Sequence, residues 1–265
     1  MKKKKFILPV FLFILSLIFC GGITQYSTVS VKAATTTKKQ TGFVMKNGSW
    51  YYYDKNGKKA TGWYQSVAGN KYYFGKTGAA KAGILTISGK KYCFNSKGKM
   101  LTGWQTVNGK TYFFDAKKGY MYTGWITTAA GNKYYFWNDG VIRSGFHKVN
   151  NVYYCFNEKG KMYKNCFRKN GNSTYYLQAN GTMAKGRLKV KGSWYSFNRN
   201  TGQLVTSGWY KETDGSYYYA GSNGKLVKGF YKPDSYYRYF RESDCKLLTG
   251  WQTINGHKYY FKKTN

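Results

Sequence analysis

The chain has 265 residues, with 44 Lys and Arg against 9 Asp and Glu, a net charge of +35, and aromatic residues at 20%. Nine acids leave little material for a pair of catalytic carboxylates. Thirty-two Gly and 29 Tyr with only two Pro exclude a helix-rich composition and favour strands.

The first stretch reads as a leader. Lys2, Lys3, Lys4 and Lys5 precede an apolar run from Phe6 to Phe19, a charged segment and an apolar segment of signal-peptide length, too short for a comfortable span. Val31-Lys32-Ala33 places small residues where a signal peptidase reads, so residues 1–33 are expected to be removed. The bulky Phe19 before Cys20 argues against lipoprotein processing. The leader holds five lysines, and its loss leaves +30. A Thr/Lys-rich linker fills 34–41, and the C-terminus Phe261-Lys262-Lys263-Thr264-Asn265 carries no apolar tail or sorting motif. The expected product is exported, with no membrane span after leader removal and no attachment through its C-terminus.

Residues 42–265 are one pattern repeated. Gly103-Trp104-Gln105-Thr106-Val107-Asn108-Gly109-Lys110-Thr111-Tyr112-Phe113-Phe114 alternates along two runs around Asn108-Gly109. Asn-Gly between alternating runs predicts a hairpin, because both residues tolerate φ > 0. The opening recurs at Gly42-Phe43, Gly62-Trp63, Gly83-Ile84, Gly103-Trp104, Gly124-Trp125 and Gly145-Phe146. It continues at Asn165-Cys166, Gly186-Arg187, Gly208-Trp209, Gly229-Phe230 and Gly250-Trp251. The predicted fold is all-β, a β-hairpin solenoid of about eleven tandem 20–22-residue repeats.

The second strand carries an aromatic triplet, such as Tyr72-Tyr73-Phe74, Tyr112-Phe113-Phe114 or Tyr217-Tyr218-Tyr219. Its first and third positions share a face, and their constant aromatic character predicts that this face is buried. The middle position varies among Tyr, Phe, Cys and Ser, which predicts the more exposed side.

The pattern Gly-Trp-x-x-x-x-Gly-x-x-Tyr-Tyr-Phe-x-x-x-Gly-x-Met-x-Thr-Gly-Trp resembles the cell-wall-binding repeats of Gram-positive bacteria. That family includes choline-binding repeats, streptococcal glucan-binding repeats and clostridial toxin-type repeats. The resemblance covers 42–265 and implies ligand sites in the grooves between successive hairpins. In its choline-binding branch, aromatic rings and often a Met surround the quaternary ammonium, through cation–π attraction and methyl contact. It assigns ligand-binding roles to the opening residues Trp63, Trp104, Trp125, Trp209 and Trp251, to Trp50 and Trp194 before the triplets, and to Met100 and Met121. Met162 and Met183 hold the same Met position. Lys is commoner than Trp before the triplet, which opposes a bare cation. Gly103-Trp104-Gln105-Thr106-Val107-Asn108-Gly109 looks more like the glucan-binding and toxin-type branches.

Catalysis is not expected. His147 and His257 are the only histidines, and neither metal spacing nor a nucleophile elbow is present. No cofactor or metal is implied. Asp54, Asp115 and Asp139 sit where turns begin and are expected to serve those turns. Cys93 and Cys155 share one repeat position three units apart, and the four cysteines beyond the leader are expected to be buried thiols rather than a disulfide framework.

The function these features predict is non-catalytic binding of a Gram-positive cell-wall polymer or related glycan, with teichoic acid, choline and glucan all open as partners. One alternative is an adhesin or toxin-like protein that binds host glycans. Another is an electrostatic polyanion binder whose aromatics serve only the core, although no specific nucleic-acid recognition is expected.

Overall fold

The structure is a computed structural model that describes residues 39–263. The leader, most of the linker and the last two residues lie outside the described residues. Among the described residues every regular element is a strand.

Eleven antiparallel hairpins follow one another in chain order. The first four pair Gly42–Lys46 with Ser49–Tyr53, Gly62–Gln65 with Lys71–Phe74, Gly83–Ile87 with Lys90–Phe94, and Gly103–Val107 with Lys110–Phe114. The fifth to eighth pair Gly124–Thr127 with Lys133–Phe136, Gly145–Val149 with Val152–Phe156, Cys166–Asn170 with Ser173–Leu177, and Gly186–Val190 with Ser193–Phe197. The last three pair Gly208–Lys211 with Tyr217–Ala220, Gly229–Tyr231 with Arg238–Phe240, and Gly250–Ile254 with His257–Phe261. The Asn108-Gly109 turn has φ of 50° and 72°, the double left-handed turn that the Asn-Gly pair predicts.

Neighbouring hairpins are tied through the backbone of the connections. Met121 N–H donates to the Lys91 carbonyl at 2.7 Å, and Met162 N–H to the Lys133 carbonyl at 2.8 Å. The following residue turns back to its own hairpin, as where Tyr122 N–H donates to the Phe113 carbonyl at 2.8 Å. Each such connection therefore satisfies its polar backbone against two successive hairpins.

The core is a row of third-position side chains. Phe74, Phe94, Phe114, Phe136, Phe156, Leu177, Phe197 and Phe240 are at most 2% exposed. The ring or side chain opposite comes from the preceding hairpin. Trp63 meets Tyr92 and Phe94 at 5.1 and 5.6 Å, Trp104 meets Tyr134 and Phe136 at 4.9 and 5.3 Å, and Trp125 meets Tyr154 and Phe156 at 4.9 and 6.0 Å. One face of each such hairpin, the opening ring and the middle position, thus packs on the other face of the next.

This two-sided packing corrects three expectations. The middle position is not the exposed side: Cys93, Cys155, Tyr176 and Ser196 are buried there. The seventh hairpin opens one residue later than its spacing implies, since Cys166 pairs with Leu177 and Phe167 with Tyr176. Asn165, with φ of 52°, takes the left-handed turn that Gly supplies in most units and Ser207 in the ninth, and one more residue follows before the ring. Phe167 then packs on Tyr195 and Phe197 as Trp63, Trp104 and Trp125 pack on the hairpins that follow them. In the ninth hairpin the triplet is Tyr218-Tyr219-Ala220, because Gly208 pairs with Ala220. A run of three tyrosines conceals a one-residue shift, and the small Ala220 takes the buried slot.

The connections carry a close approach as well as a turn. Gly140 has φ of +78°, and a Cβ there would overlap Met121 of the preceding connection, whereas Gly83, at φ +81°, faces open space. Gly140→Ala is expected to lower stability by about 1–2 kcal/mol in urea unfolding. Gly83→Ala, which carries only the backbone penalty, is expected to cost less. Equal losses would contradict a packing role for Gly140.

Candidate functional site

Each groove is assembled from three successive units, and the second hairpin shows how. Trp63 sits on the first strand and is held edge-on by Tyr73 across the pair at 5.3 Å. Tyr92 projects from the next hairpin, and Met100 follows in its connection, paired with Phe94. Lys118 comes from the connection one unit further on. Together with Tyr64 and Lys71 these side chains line an open groove of about 320 Å³. Trp63 remains 43% exposed, so its ring is seated on the core by one edge and offers the rest to the groove. The Tyr64 phenol stacks on Tyr52 at 4.2 Å. Its pKa is pushed up to about 12, first by burial and then by its bond with Tyr52, so it brings no negative charge to the groove at neutral pH.

The other opening residues fall into distinct kinds of groove. Trp104 and Trp125 repeat the arrangement with Tyr134 and Tyr154. Backbone register places Ile142 and Met162 where Met100 stands, through Ile142 N–H to the Thr111 carbonyl and Met162 N–H to the Lys133 carbonyl. Met121 lines a groove of about 520 Å³ with Ile84, Tyr112, Lys91 and Asp139, so it lies in a groove whose opening residue is aliphatic. Trp209 is edge-on to Tyr219, and the Arg238 guanidinium stands over its ring at 5.5 Å. Trp251, 71% exposed, has Tyr260 as its aromatic neighbour at 5.3 Å. Trp50 carries the Lys97 ammonium over its ring at 4.7 Å, and Trp194 the Arg187 guanidinium at 4.6 Å. The nine predicted residues therefore do not form one constellation. Trp63 and Met100 share a groove; the others are distributed along the repeats.

The groove-wall tyrosines Tyr92, Tyr134 and Tyr154 are half-buried, and sequence reading assigned them to the core. Trp137 was missed altogether. It stands where several other units carry the Asn or Asp of a turn, and packs edge-on against Tyr135, His147 and Phe156 with Arg143 at 5.0 Å. Its break with the repeat was the available clue.

Asp54, Asp115 and Asp139 serve turns, as their positions implied, the last by accepting from the Val141 N–H. Asp54 accepts from the N–H groups of Asn56 and Lys58, and Asp115 from those of Lys117 and Lys118. Backbone donation, first from Lys118, holds the Asp115 carboxyl below its usual range. Among the described residues no cluster of three or more His, Cys, Asp or Glu has metal-binding geometry, and no helix is long and apolar enough to cross a membrane.

Comparison with known proteins bears on the repeats and the fold. A family model described as a choline-binding repeat matches residues 101–141 and 167–209, and one described as a putative cell wall binding repeat matches 41–59, 61–80, 207–226 and 249–264. The chain belongs to the cell-wall-binding repeat family. Among solved structures it is similar to CbpJ of Streptococcus pneumoniae TIGR4, at 25% identity and TM-score 0.57, over 83% of this chain and 91% of that one. Choline binding protein F of Streptococcus pneumoniae matches at 27% identity and TM-score 0.54, over 83% and 90%. The modular autolysin LytC of Streptococcus pneumoniae shares the fold at 21% identity and TM-score 0.62, over 83% of this chain and 51% of its own length. No curated protein matches the chain.

Among the described residues Cys93, Cys155, Cys166 and Cys245 are unpaired, and all but Cys166 are buried. Burial pushes the Cys155 thiol up to about 11 and raises Cys93 and Cys245 as well. At pH 8 a thiol titrating near 11 is ionised in roughly one molecule in a thousand. Thiol titration of the folded protein at pH 8 is expected to label half-exposed Cys166 first and the other three only after denaturation. Rapid labelling of all four in the native state would contradict this burial.

Proposed function

We propose that the chain is an exported, non-catalytic binder of choline-bearing cell-wall polymer, with its hairpins wound as a solenoid that lines up several weak sites. The observation that carries this reading is the groove of Trp63, Tyr92 and Met100 flanked by Lys71 and Lys118. Two ring faces and a thioether suit the methyl groups and charge of a trimethylammonium. Lysines at the rim would repel a bare cation, yet they suit the phosphate of a phosphocholine substituent, whose two charges lie a few ångströms apart. The same groove thus accommodates both ends of a zwitterion, and the lysines that weigh against free choline favour its phosphate ester.

The family and the solved relatives support this choice of ligand over a neutral glucan or a host glycan. A choline-binding protein is among those relatives at 27% identity. The exposure of Trp63 and Trp104, 43% and 41%, supports ring recognition over an account in which charge binds polyanions and aromatics serve the core alone. By the same geometry, Trp104 with Tyr134 and Trp125 with Tyr154 form further sites. Several sites on one polymer would raise retention through effective concentration rather than through any single strong contact.

Sedimentation with purified choline-containing walls tests the reading, with phosphocholine, choline and glucan as competitors at low and high salt. Phosphocholine is expected to release the protein better than choline, and glucan not at all. In titrations with phosphocholine, Trp63→Ala is expected to weaken its own site by about 2 kcal/mol, roughly thirtyfold. Lys71→Ala is expected to cost about 0.2–1 kcal/mol at that site, and Lys55→Ala, on an exposed turn, nothing. Release by salt alone, with Trp63→Ala silent, would overturn the reading.

A further inference from the structure

The eighth hairpin departs from the others at two positions that compensate each other. Where the second hairpin has an opening Trp63 and, before its triplet, Lys71, the eighth has Arg187 and Trp194. The aromatic and the cation have exchanged places. Across the strand from Arg187 the residue is Ser196, fully buried, where Trp63 has Tyr73. The ring pair that usually fills this face is therefore gone on both sides.

The guanidinium uses the room. Its carbon lies 4.1 Å from the Tyr218 ring centroid and 4.6 Å from that of Trp194. Tyr218 holds the groove-wall position of the ninth hairpin, the place of Tyr92 in the second groove. Arg187 Nη1 donates to the Asp244 carbonyl at 3.0 Å, and Trp194 Nε1 to the Ser243 carbonyl at 3.4 Å, both from the connection after the tenth hairpin. That connection is two units on, as Lys118 is for the second groove. Three successive units again build the site, but here they converge on a positive charge supplied by the chain.

We propose that the groove between the eighth and ninth hairpins is a cation cage already occupied by Arg187, closed to quaternary ammonium in the native chain and opened when that charge is removed. Two rings and two carbonyl oxygens form walls suited to a cation, and the arginine is the group that keeps an external one out. It is thereby a residue that sets how many ligands the chain can hold. The inference rests on the reading that the grooves take a quaternary ammonium.

The test is isothermal titration of the full chain with tetramethylammonium chloride at constant ionic strength, for wild type, Arg187→Gln, Arg187→Leu and Arg187→Lys. The wild type reports on the general reading: no saturable binding there counts against ammonium recognition as such. The difference between proteins reports on Arg187. Arg187→Gln and Arg187→Leu are expected to gain one site per chain and a larger rise in melting temperature on saturation, while Arg187→Lys keeps the native stoichiometry. A folded Gln or Leu variant with no added site would overturn the proposal and leave Arg187 as a structural clamp. If neither variant folds, the native protein decides by NMR. The Arg187 side-chain resonances are expected to carry large ring-current shifts that saturating tetramethylammonium leaves in place, and their displacement by the ligand would contradict a permanently filled cage.

Discussion

The contact on which the structure depends is the packing of one hairpin's opening side chain on the next hairpin, edge-on to its Tyr for Trp63, Trp104 and Trp125 and tilted against its third-position residue. An isolated two-stranded hairpin is marginal in water, and none of these pairs is long enough to be otherwise. Aromatic contacts of this kind are worth about 0.5–1.5 kcal/mol each beyond their buried area. Repeated from Phe43 on Tyr72 to Phe230 on Tyr259, they seal the buried third-position row. Because the opening ring is seated by an edge, the rest of it stays at the surface. Stability and the candidate binding surface thus come from the same side chain.

That constraint explains how the repeats vary. Every opening Trp has an aromatic ring across the strand: Tyr73, Phe113, Tyr135, Tyr219 and Tyr260. Where the opening residue is Ile84, Phe146 or Arg187, its partner is Cys93, Cys155 or Ser196. Each indole has a ring beside it, Phe43, Phe167 and Phe230 keep a Tyr in that place, and only Ile84, Phe146 and Arg187 take a smaller partner. The two cysteines are in this sense packing residues, and their unpaired, buried state follows from the register rather than from redox chemistry.

Much of this was legible in the sequence because a hairpin is a local object. Asn108-Gly109 set a turn, alternation set the strands, and the repeat set their number and spacing. The buried third position of most units followed from the same alternation. What stayed hidden was the relation between units. Both faces of Tyr72-Tyr73-Phe74 are used, one by the preceding hairpin and one by the next, and no pattern within a single repeat distinguishes that from a one-sided sheet. Tyr92 could not be recognised as a groove wall without Trp63 beside it, nor Arg187 as the occupant of a ring pair without Tyr218 beside it. The shifts at Cys166 and Ala220 were concealed by an Asn that takes the turn of a Gly and by a run of three tyrosines. Trp137 lay outside the repeat pattern on which the reading relied.

The charge takes on a local meaning once the grooves are seen. Lys71 and Lys118 stand at the rim of one groove, Lys97 over Trp50, and Arg187 between Trp194 and Tyr218. Cations and rings are interleaved throughout, so whether a groove is open depends on where its own positive charge is placed. The most direct test of the central claim is a crystal structure of the protein with phosphocholine. The account predicts the trimethylammonium in the groove against Trp63, Tyr92 and Met100, with its phosphate toward Lys71 and Lys118. Phosphocholine bound on surface lysines with the Trp63 and Tyr92 rings left bare would contradict it.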